Sequence, residues 1–192
     1  MKLVFASHNA NKTKEISAIF QGIAAISSLE DIGFFEEIAE TGSTLEENAE
    51  IKATVVYKAT NLNCFADDTG LLVEALNGAP GVYSARFAGP EKSAEANNQK
   101  LLNELVQTEN RKARFVTLIC MIIAGDKHFF KGELEGEIAS NYSGSNGFGY
   151  DPIFIPSGFS KSLAEMSLTE KNAISHRAKA FTKMLDFFKG KL

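Results

Sequence analysis

The sequence predicts an α/β protein built around a mixed β-sheet. Segments with strand and helix periodicity alternate over the first half of the chain, and two β-rich segments then follow one another before a final helical pattern. Because strands and helices alternate first and strands pair later, we expect parallel and antiparallel pairing in one sheet. No repeat, low-complexity tract or Pro/Gly/Ser-rich linker divides the 192 residues, so we interpret 1–192 as a single domain.

The first half of the chain predicts a strand, two helices and a further pair of strands. Residues 2–6 are apolar, and the helix expected after the turn Ser7–Lys12 has the spaced apolar residues Ile16, Ile19, Phe20 and Ile23. The second helix begins at the capping-box pattern Ser43–Glu46 and runs to Asn61. Its apolar face comprises Leu45, Ala49, Ala53, Val56 and Ala59. Cys64–Ala66 and Leu71–Val73 then predict strands on either side of a polar turn.

The second half predicts a loop, two helices and a hairpin. Gly and Pro residues indicate a long loop over 77–90, which a helix near 93–107 follows. Residues 113–124 and 128–139 predict paired strands joined at Gly125-Asp126. One long helix is expected from about Glu170 to Lys189, with an apolar face of Ile174, Ala178, Phe181, Leu185 and Phe188.

Composition excludes several classes of protein. A 10% aromatic content and a net charge of −4 argue against disorder, and 20 basic against 24 acidic residues argue against a nucleic-acid partner. The two cysteines, Cys64 and Cys120, lie in apolar sequence and argue against a disulfide framework or a Cys-type zinc site. The apolar stretch from Phe115 to Gly125 is about half of a membrane span. We expect a soluble cytoplasmic protein with no membrane partner.

Charge is distributed unevenly along the chain. The stretch from Glu30 to Glu50 has acidic residues and no Lys or Arg, whereas the stretch from Lys161 onwards is mainly basic. Two solvated faces of opposite sign would explain this pattern. Alternatively, one segment supplies metal ligands and the other holds anions, and charge alone does not decide between them.

Two strand ends carry polar residues that suit a phosphate chain and a hard cation. Ser7–Lys12 follows the first strand and opens a helix, where backbone N–H groups and the helix dipole favour phosphate, although the same residues could simply cap the helix. Asp67-Asp68-Thr69-Gly70 ends a buried strand, and carboxylates there suit Mg²⁺. Because consecutive strand residues point to opposite faces, we do not expect Asp67 and Asp68 in one site. A plain turn is the alternative for this segment.

Two later segments could contact a ligand. Gly144–Pro152 combines three glycines with Phe148 and Tyr150, which allows close backbone approach and ring stacking, or forms an ordinary connection between strands. Lys171 and Ser175-His176-Arg177 lie in the final helical segment, where a solvated basic face is the alternative. Residues 175–177 fan around a helix and could share a ligand only near its start.

Taken together, these motifs resemble a known family. In order and spacing the chain is similar to the inosine/xanthosine triphosphate pyrophosphatases, the Ham-type house-cleaning nucleotide hydrolases. The matching blocks are Ser7-x-Asn9-x-x-Lys12, Glu40–Gly42, Glu47–Ala49, Lys52-Ala53, Ala66–Leu71, Gly78–Arg86, Gly147–Pro152 and Ser175–Arg177. The resemblance covers nearly the whole chain. One position departs from it, since Thr69 stands where the family usually has Ser, and the hydroxyl is retained.

The resemblance implies a fold and an activity. The expected fold is an elongated mixed sheet with flanking helices forming two lobes around a nucleotide cleft, in a homodimer. The expected reaction is Mg²⁺-dependent hydrolysis of ITP, dITP and XTP to the monophosphate and pyrophosphate. Such an enzyme removes aberrant purines from the nucleotide pool.

The resemblance also implies a role for each matching residue. Substrate phosphates would contact Ser7, His8, Asn9, Ala10, Asn11, Lys12, Lys52 and Thr69. Glu40 and Asp68 would bind the metal, and Asp68 would also act as base toward the attacking water. The purine would contact Phe148, Gly149, Tyr150, Asp151, Lys171, His176 and Arg177. Lys and Arg only donate hydrogen bonds, so they suit the 6-keto oxygen of these purines and disfavour the 6-amino group of adenine.

Three other functions compete with this interpretation. A pyrophosphatase of the Maf type would prefer pyrimidine or modified nucleotides, and the Ser175-His176-Arg177 block argues against it. A regulatory module would bind nucleotide without catalysis, which the set of Glu40, Asp68 and Lys12 disfavours. An RNA-binding protein conflicts with the net charge of −4.

Overall fold

One six-stranded sheet organises the computed structural model, which describes residues 2–8, 12–13, 16–17 and 20–190. The strands are β1 (Lys2–Phe5), β2 (Ala25–Ser27), β3 (Cys64–Val73), β4 (Lys112–Ile123), β5 (Asp126–Ile138) and β6 (Phe154–Pro156), in the order β2-β1-β3-β4-β5-β6. β1 pairs in parallel with β2 and β3, whereas β5 pairs antiparallel with β6. The predicted mixed α/β sheet is therefore confirmed.

Four helices have described bounds. They are α1 (Leu45–Thr60), α2 (Ala94–Glu104), α3 (Leu168–Ile174) and α4 (His176–Lys189). Residues 12–13 and 16–17 are also helical, as the first predicted helix requires, while Ile19 lies outside the described residues. Among the residues that the structure describes, no helix is long and apolar enough to cross a bilayer.

Helix α1 begins at a capping box one residue later than predicted. The Thr44 hydroxyl accepts a hydrogen bond from the Glu47 backbone N–H, and the Glu47 carboxylate accepts one from the Thr44 N–H. Four of the five predicted apolar positions are buried, but Ala59 is exposed. Each residue turns a helix by about 100°, so Ala59 lies about 60° beyond Val56, on the side away from Ala53.

Strand β3 is continuous, so the prediction of two strands separated by a turn at Asp67–Gly70 is wrong. The polar residues of this segment suggested a turn because Asp, Thr and Gly favour one. In the structure these four residues belong to one ten-residue strand, which lies between β1 and β4 in the sheet. The hairpin between β4 and β5 was predicted correctly, although its turn residues are Ala124 and Gly125, both with positive φ.

The prediction of a single long final helix is also wrong, because Ser175 separates α3 from α4. Ser175 is buried, with φ −63° and ψ 146°, and its hydroxyl accepts a hydrogen bond from the Ala178 N–H at 3.1 Å. A serine side chain that binds a backbone N–H ends one helix and caps the next. His176 and Arg177 therefore occupy the first turn of α4.

The chain forms two compact units, each with its own core. The first comprises the described parts of 1–68, 118–131 and 180–192, and the second comprises 69–117 and 132–179. Aromatic rings dominate the first core, where Phe65 stacks on Phe5 at 4.9 Å and meets Phe181 edge-on at 6.1 Å. The second core includes Leu71, Leu101, Phe115, Leu134, Tyr150, Ile153, Phe154 and Leu163.

Replacing Phe65 with Ala should lower the free energy of unfolding by about 3–5 kcal/mol, because it removes a fully buried ring from the first core. Urea denaturation measures the change. Phe35→Ala is the control, since Phe35 is 74% exposed and its removal should change stability by less than about 0.5 kcal/mol. Equal effects of the two substitutions would contradict this account of the core.

Candidate active site

An acidic cluster in the first unit gathers residues from four separate segments, and it comprises Lys12, Glu40, Lys52, Asp67 and Asp68. Asp67 is 3% exposed, and both of its carboxylate oxygens accept hydrogen bonds from Lys12 Nζ, at 3.1 and 2.9 Å. A carboxylate buried to this extent requires a cation, and the bidentate contact supplies one. Asp67 thereby holds the lysine of the Ser7–Lys12 segment at the end of β1.

Lys52 of α1 links two further carboxylates. Its Nζ donates to Glu40 Oε1 at 2.6 Å and lies 3.7 Å from Asp68 Oδ1. Burial lowers the pKa of Lys52, but Asp68, Asp67 and Glu40 more than offset this effect, so its pKa is raised and the ammonium form is stabilised. Asp67 and Asp68 contact different lysines, although the charges of both act on Lys52.

Burial also raises the pKa of Asp68 above its ordinary value. The Lys52 cation and, to a smaller extent, the Asn48 side chain oppose this effect, while the nearby carboxylates of Glu40 and Asp67 reinforce it. A carboxylate with a raised pKa is a stronger proton acceptor than an ordinary aspartate.

The N-terminus of α1 positions Glu40. Asn48 is fully buried, and its side-chain oxygen accepts a hydrogen bond from the Gly42 N–H at 2.8 Å. A Cβ at Gly42 would lie 2.7 Å from that oxygen, so glycine permits the close approach. Together with the capping box, this contact attaches Glu40–Gly42 to the first turn of the helix.

The oxygen ligands of the cluster fit a hard divalent cation. Within the described residues no group of three or more His, Cys, Asp or Glu side chains is arranged to hold a metal ion. Mg²⁺ is commonly bound by one or two carboxylates together with water and substrate phosphates. Glu40 and Asp68, already gathered around one cation at Lys52 Nζ, match that requirement.

The second unit contains an aromatic and basic cluster around Phe148. The Phe148 ring is 62% exposed, with Lys171 Nζ 4.5 Å and Arg177 Cζ 5.6 Å from its centre. Asp151 is buried and accepts hydrogen bonds from Lys171 Nζ and, at 2.8 Å, from the Phe148 N–H. An exposed ring beside two cations provides a stacking surface and hydrogen-bond donors for a planar ligand.

Hydrogen bonds hold the loop that carries Phe148. Asn98 of α2 donates to the Gly149 carbonyl at 2.9 Å, and the Asn146 N–H donates to the Ala164 carbonyl at 3.0 Å. Gly147 has φ +83°, and a Cβ there would collide with the Asp151 carboxylate. The glycines therefore serve backbone geometry and packing around Asp151.

Two predicted purine contacts have buried side chains. Tyr150 lies in the second core, where burial raises its pKa, and its hydroxyl donates to the Ser84 carbonyl at 2.8 Å. His176 is buried and stacks on Phe115, with ring centres 4.8 Å apart. Arg177 Nε is buried and has no hydrogen-bond partner among the described residues, so it retains a donor for a ligand.

The remaining predicted residues are placed as follows. The Ser7 N–H donates to the Phe5 carbonyl, and His8 Nε2 lies 3.1 Å from the Glu36 carbonyl. The Thr69 and Thr117 hydroxyls share a hydrogen bond of 2.8 Å. Asn9, Ala10 and Asn11 lie outside the described residues.

Sequence reasoning assigned no role to Asn48, Ser84, Asn98 or Thr117. The Ser84 hydroxyl accepts from the Leu71 N–H at 2.9 Å, and its carbonyl accepts from Tyr150. Ser84 lies within the matching motif block Gly78–Arg86, and this position could have indicated a structural or functional role. Thr117 gave only the weaker signal of a polar residue among apolar neighbours, and Asn98, between Asn97 and Gln99, gave no such signal.

Solved structures share this α/β architecture closely. The chain superposes on the Ham1 protein of Staphylococcus aureus with a TM-score of 0.95 and 43% identity, covering 100% of both chains. A Ham1 protein from Coxiella burnetii gives a TM-score of 0.94 at 37% identity, with 99% of each chain covered. The fold is thus that of an established class of α/β proteins.

Sequence comparison identifies the family. The family model described as Ham1 family matches residues 3–187, so the chain belongs to the Ham1 family. A relative from Christiangramia forsetii, named dITP/XTP pyrophosphatase, is 52% identical over 97% of this chain and 98% of its own length. The family resemblance inferred from the motifs is confirmed.

Replacing Lys52 with Met should raise the pKa of Asp68 further, because the lysine cation opposes the effect of burial. Carbon-detected NMR titration of the Asp side chains measures this change. Lys58→Met is the matched control, since Lys58 is an exposed lysine of the same helix and should leave the Asp68 titration unchanged. An unaltered Asp68 titration in Lys52→Met would contradict the proposed electrostatic role of Lys52.

Proposed function

We propose that this protein is a nucleoside triphosphate pyrophosphatase that hydrolyses ITP, dITP and XTP to the monophosphate and pyrophosphate. The observation that carries the proposal is the arrangement of Lys52 between Glu40 and Asp68, beside the Lys12–Asp67 pair. Lysines and carboxylates so arranged suit a triphosphate and its metal. The named activity of relatives at about half identity supports the same reaction.

Lysines of the acidic cluster would bind the phosphates. The Lys12 side chain is partly exposed, whereas its partner Asp67 is buried, so the ammonium can meet a phosphate oxygen while the aspartate holds it. Lys52 would add a second cation. Fixed positive charge stabilises the negative charge that develops as the α–β phosphoanhydride bond breaks.

Glu40 and Asp68 would hold the divalent cation. When bound, Mg²⁺ supplies charge neutralisation to the phosphate oxygens. Both carboxylates contact the Lys52 ammonium, which holds them close together.

Asp68 would act as the base. Its pKa, raised by burial, makes the carboxylate a competent acceptor of one proton from the attacking water. The water oxygen bonds to the α-phosphorus, the bond to the bridging oxygen breaks, and pyrophosphate leaves. Water and the triphosphate thus account for every atom of the two products.

The Phe148 cluster would recognise the purine. Phe148 offers a face for stacking, and Lys171 and Arg177 offer donors to the 6-keto oxygen of hypoxanthine or xanthine. Adenine presents an amino group at this position, which leaves those donors unpaired. Asp151 holds Lys171 in place.

The proposal extends to cellular context. We place the activity in the cytoplasm, where nucleotide pools are used, and in a homodimer. Size-exclusion chromatography with light scattering tests the assembly, and a monomer at micromolar concentration would overturn it.

The first experiment measures pyrophosphate release from ITP, XTP, GTP, ATP and UTP. With Mg²⁺, ITP and XTP should turn over at least about tenfold faster than ATP, the discrimination expected from one unpaired buried hydrogen bond. EDTA should abolish release, and excess Mg²⁺ should restore it. Equal turnover of all five would contradict the role of the Phe148 cluster. A UTP preference or tight binding without turnover would overturn the proposed function.

Replacing Asp68 with Asn should lower kcat for ITP at least about 100-fold, because the amide accepts no proton from water. Isothermal titration should still detect ITP binding, since Lys12 and the Phe148 cluster remain. Asp126→Asn removes an exposed carboxylate at the start of β5 and should leave kcat unchanged. Near wild-type turnover in Asp68→Asn would contradict the assignment of Asp68 as base.

A further inference from the structure

Thr117 is a buried polar residue in an otherwise apolar part of β4. Its exposed fraction is 0%, and the residues on either side, Val116 and Leu118, are also buried. Burying a hydroxyl costs free energy unless it forms a hydrogen bond. Valine has nearly the same shape and would avoid that cost, so the hydroxyl of Thr117 requires an explanation.

The partner of that hydroxyl is Thr69 on the adjacent strand β3. The two Oγ1 atoms are 2.8 Å apart, and this is the side-chain hydrogen bond that the described part of the chain provides for Thr117. Thr69 is only partly buried and directly follows Asp68. The buried Thr117 hydroxyl is thus hydrogen-bonded to the hydroxyl of Thr69, the residue that follows the proposed base Asp68 in the sequence.

The chemistry of two hydroxyls defines what the contact can do. Each carries one proton, and a single hydrogen bond uses one of them. If Thr117 donates, this contact does not use the Thr69 proton, and phosphate oxygens only accept. The branched Cβ of threonine also limits χ1, so the hydrogen bond selects among few orientations.

We propose that Thr117 is a positioning residue that orients the Thr69 hydroxyl to donate to a phosphate oxygen of the substrate. The inference rests on the proposed function and adds to it a residue outside all the motif blocks. The Thr117 hydroxyl on β4 holds the Thr69 side chain in one orientation.

Steady-state kinetics with ITP and Mg²⁺ test this role. Thr117→Val removes the hydroxyl and keeps the shape, so kcat/KM should fall about three- to tenfold, the equivalent of one hydrogen bond, with most of the loss in kcat. Thr117→Ser keeps the hydroxyl and should retain near wild-type kcat. If the valine variant is insoluble, Thr117→Ala compared with Thr117→Ser isolates the same hydroxyl.

A double-mutant cycle separates positioning from a structural effect. In a Thr69→Val background, Thr117→Val should cause no further loss of kcat/KM, because the hydroxyl it orients is already absent. An equal loss in both backgrounds would overturn the proposal and assign Thr117 a purely structural role. Wild-type kinetics in Thr117→Val would overturn it as well.

Thr54→Val is the matched control. Thr54 lies in α1, and its hydroxyl is buried without a hydrogen-bond partner in the described residues, so its removal should leave kcat and KM unchanged. Wild-type turnover of ITP is measured first. Its absence would overturn the proposed function together with this inference, whereas an active wild type with an unaffected Thr117→Val variant would overturn the inference alone.

Discussion

The neutralisation of two consecutive carboxylates in the central strand is the constraint on which the candidate site depends. On β3, which lies between β1 and β4 in the sheet, Asp67 is buried and Asp68 is partly buried. Each contacts a lysine from a different segment, Lys12 after β1 and Lys52 on α1. An uncompensated buried charge costs several kcal/mol. The ion pairs that offset the cost of burying these carboxylates therefore also bring the proposed phosphate-binding lysines together.

A second buried carboxylate plays the corresponding part in the Phe148 cluster. Asp151 accepts from Lys171 and from the Phe148 N–H, so one side chain orients both a cation and the backbone of the aromatic residue. Tyr150 lies in the core, and its hydroxyl donates a hydrogen bond to the Ser84 carbonyl. Phe148, two residues earlier, is exposed. Along this short loop, an exposed residue proposed to contact the ligand, Phe148, is thus followed by a residue that packs in the core, Tyr150.

Much of the fold was predictable from local signals. The capping residues ahead of α1, the apolar spacing along it and the hairpin turn were each found within about one residue. Prediction was wrong at Asp67–Gly70 and at Ser175, where local propensity competes with context. Turn-forming residues stay extended when a longer strand of the sheet continues through them, and a serine breaks a helix when its hydroxyl accepts a hydrogen bond from a backbone N–H.

The sequence by itself determined the family, the mixed sheet and the residue types of the site, because motif order and periodicity are properties of the chain alone. Only the tertiary structure decided which polar side chains meet: Lys12 with Asp67, Lys52 with Glu40 and Asp68, and Thr117 with Thr69. These partners lie 12 to 55 positions apart. No local pattern encodes such a contact, since it arises when packing brings distant segments into register.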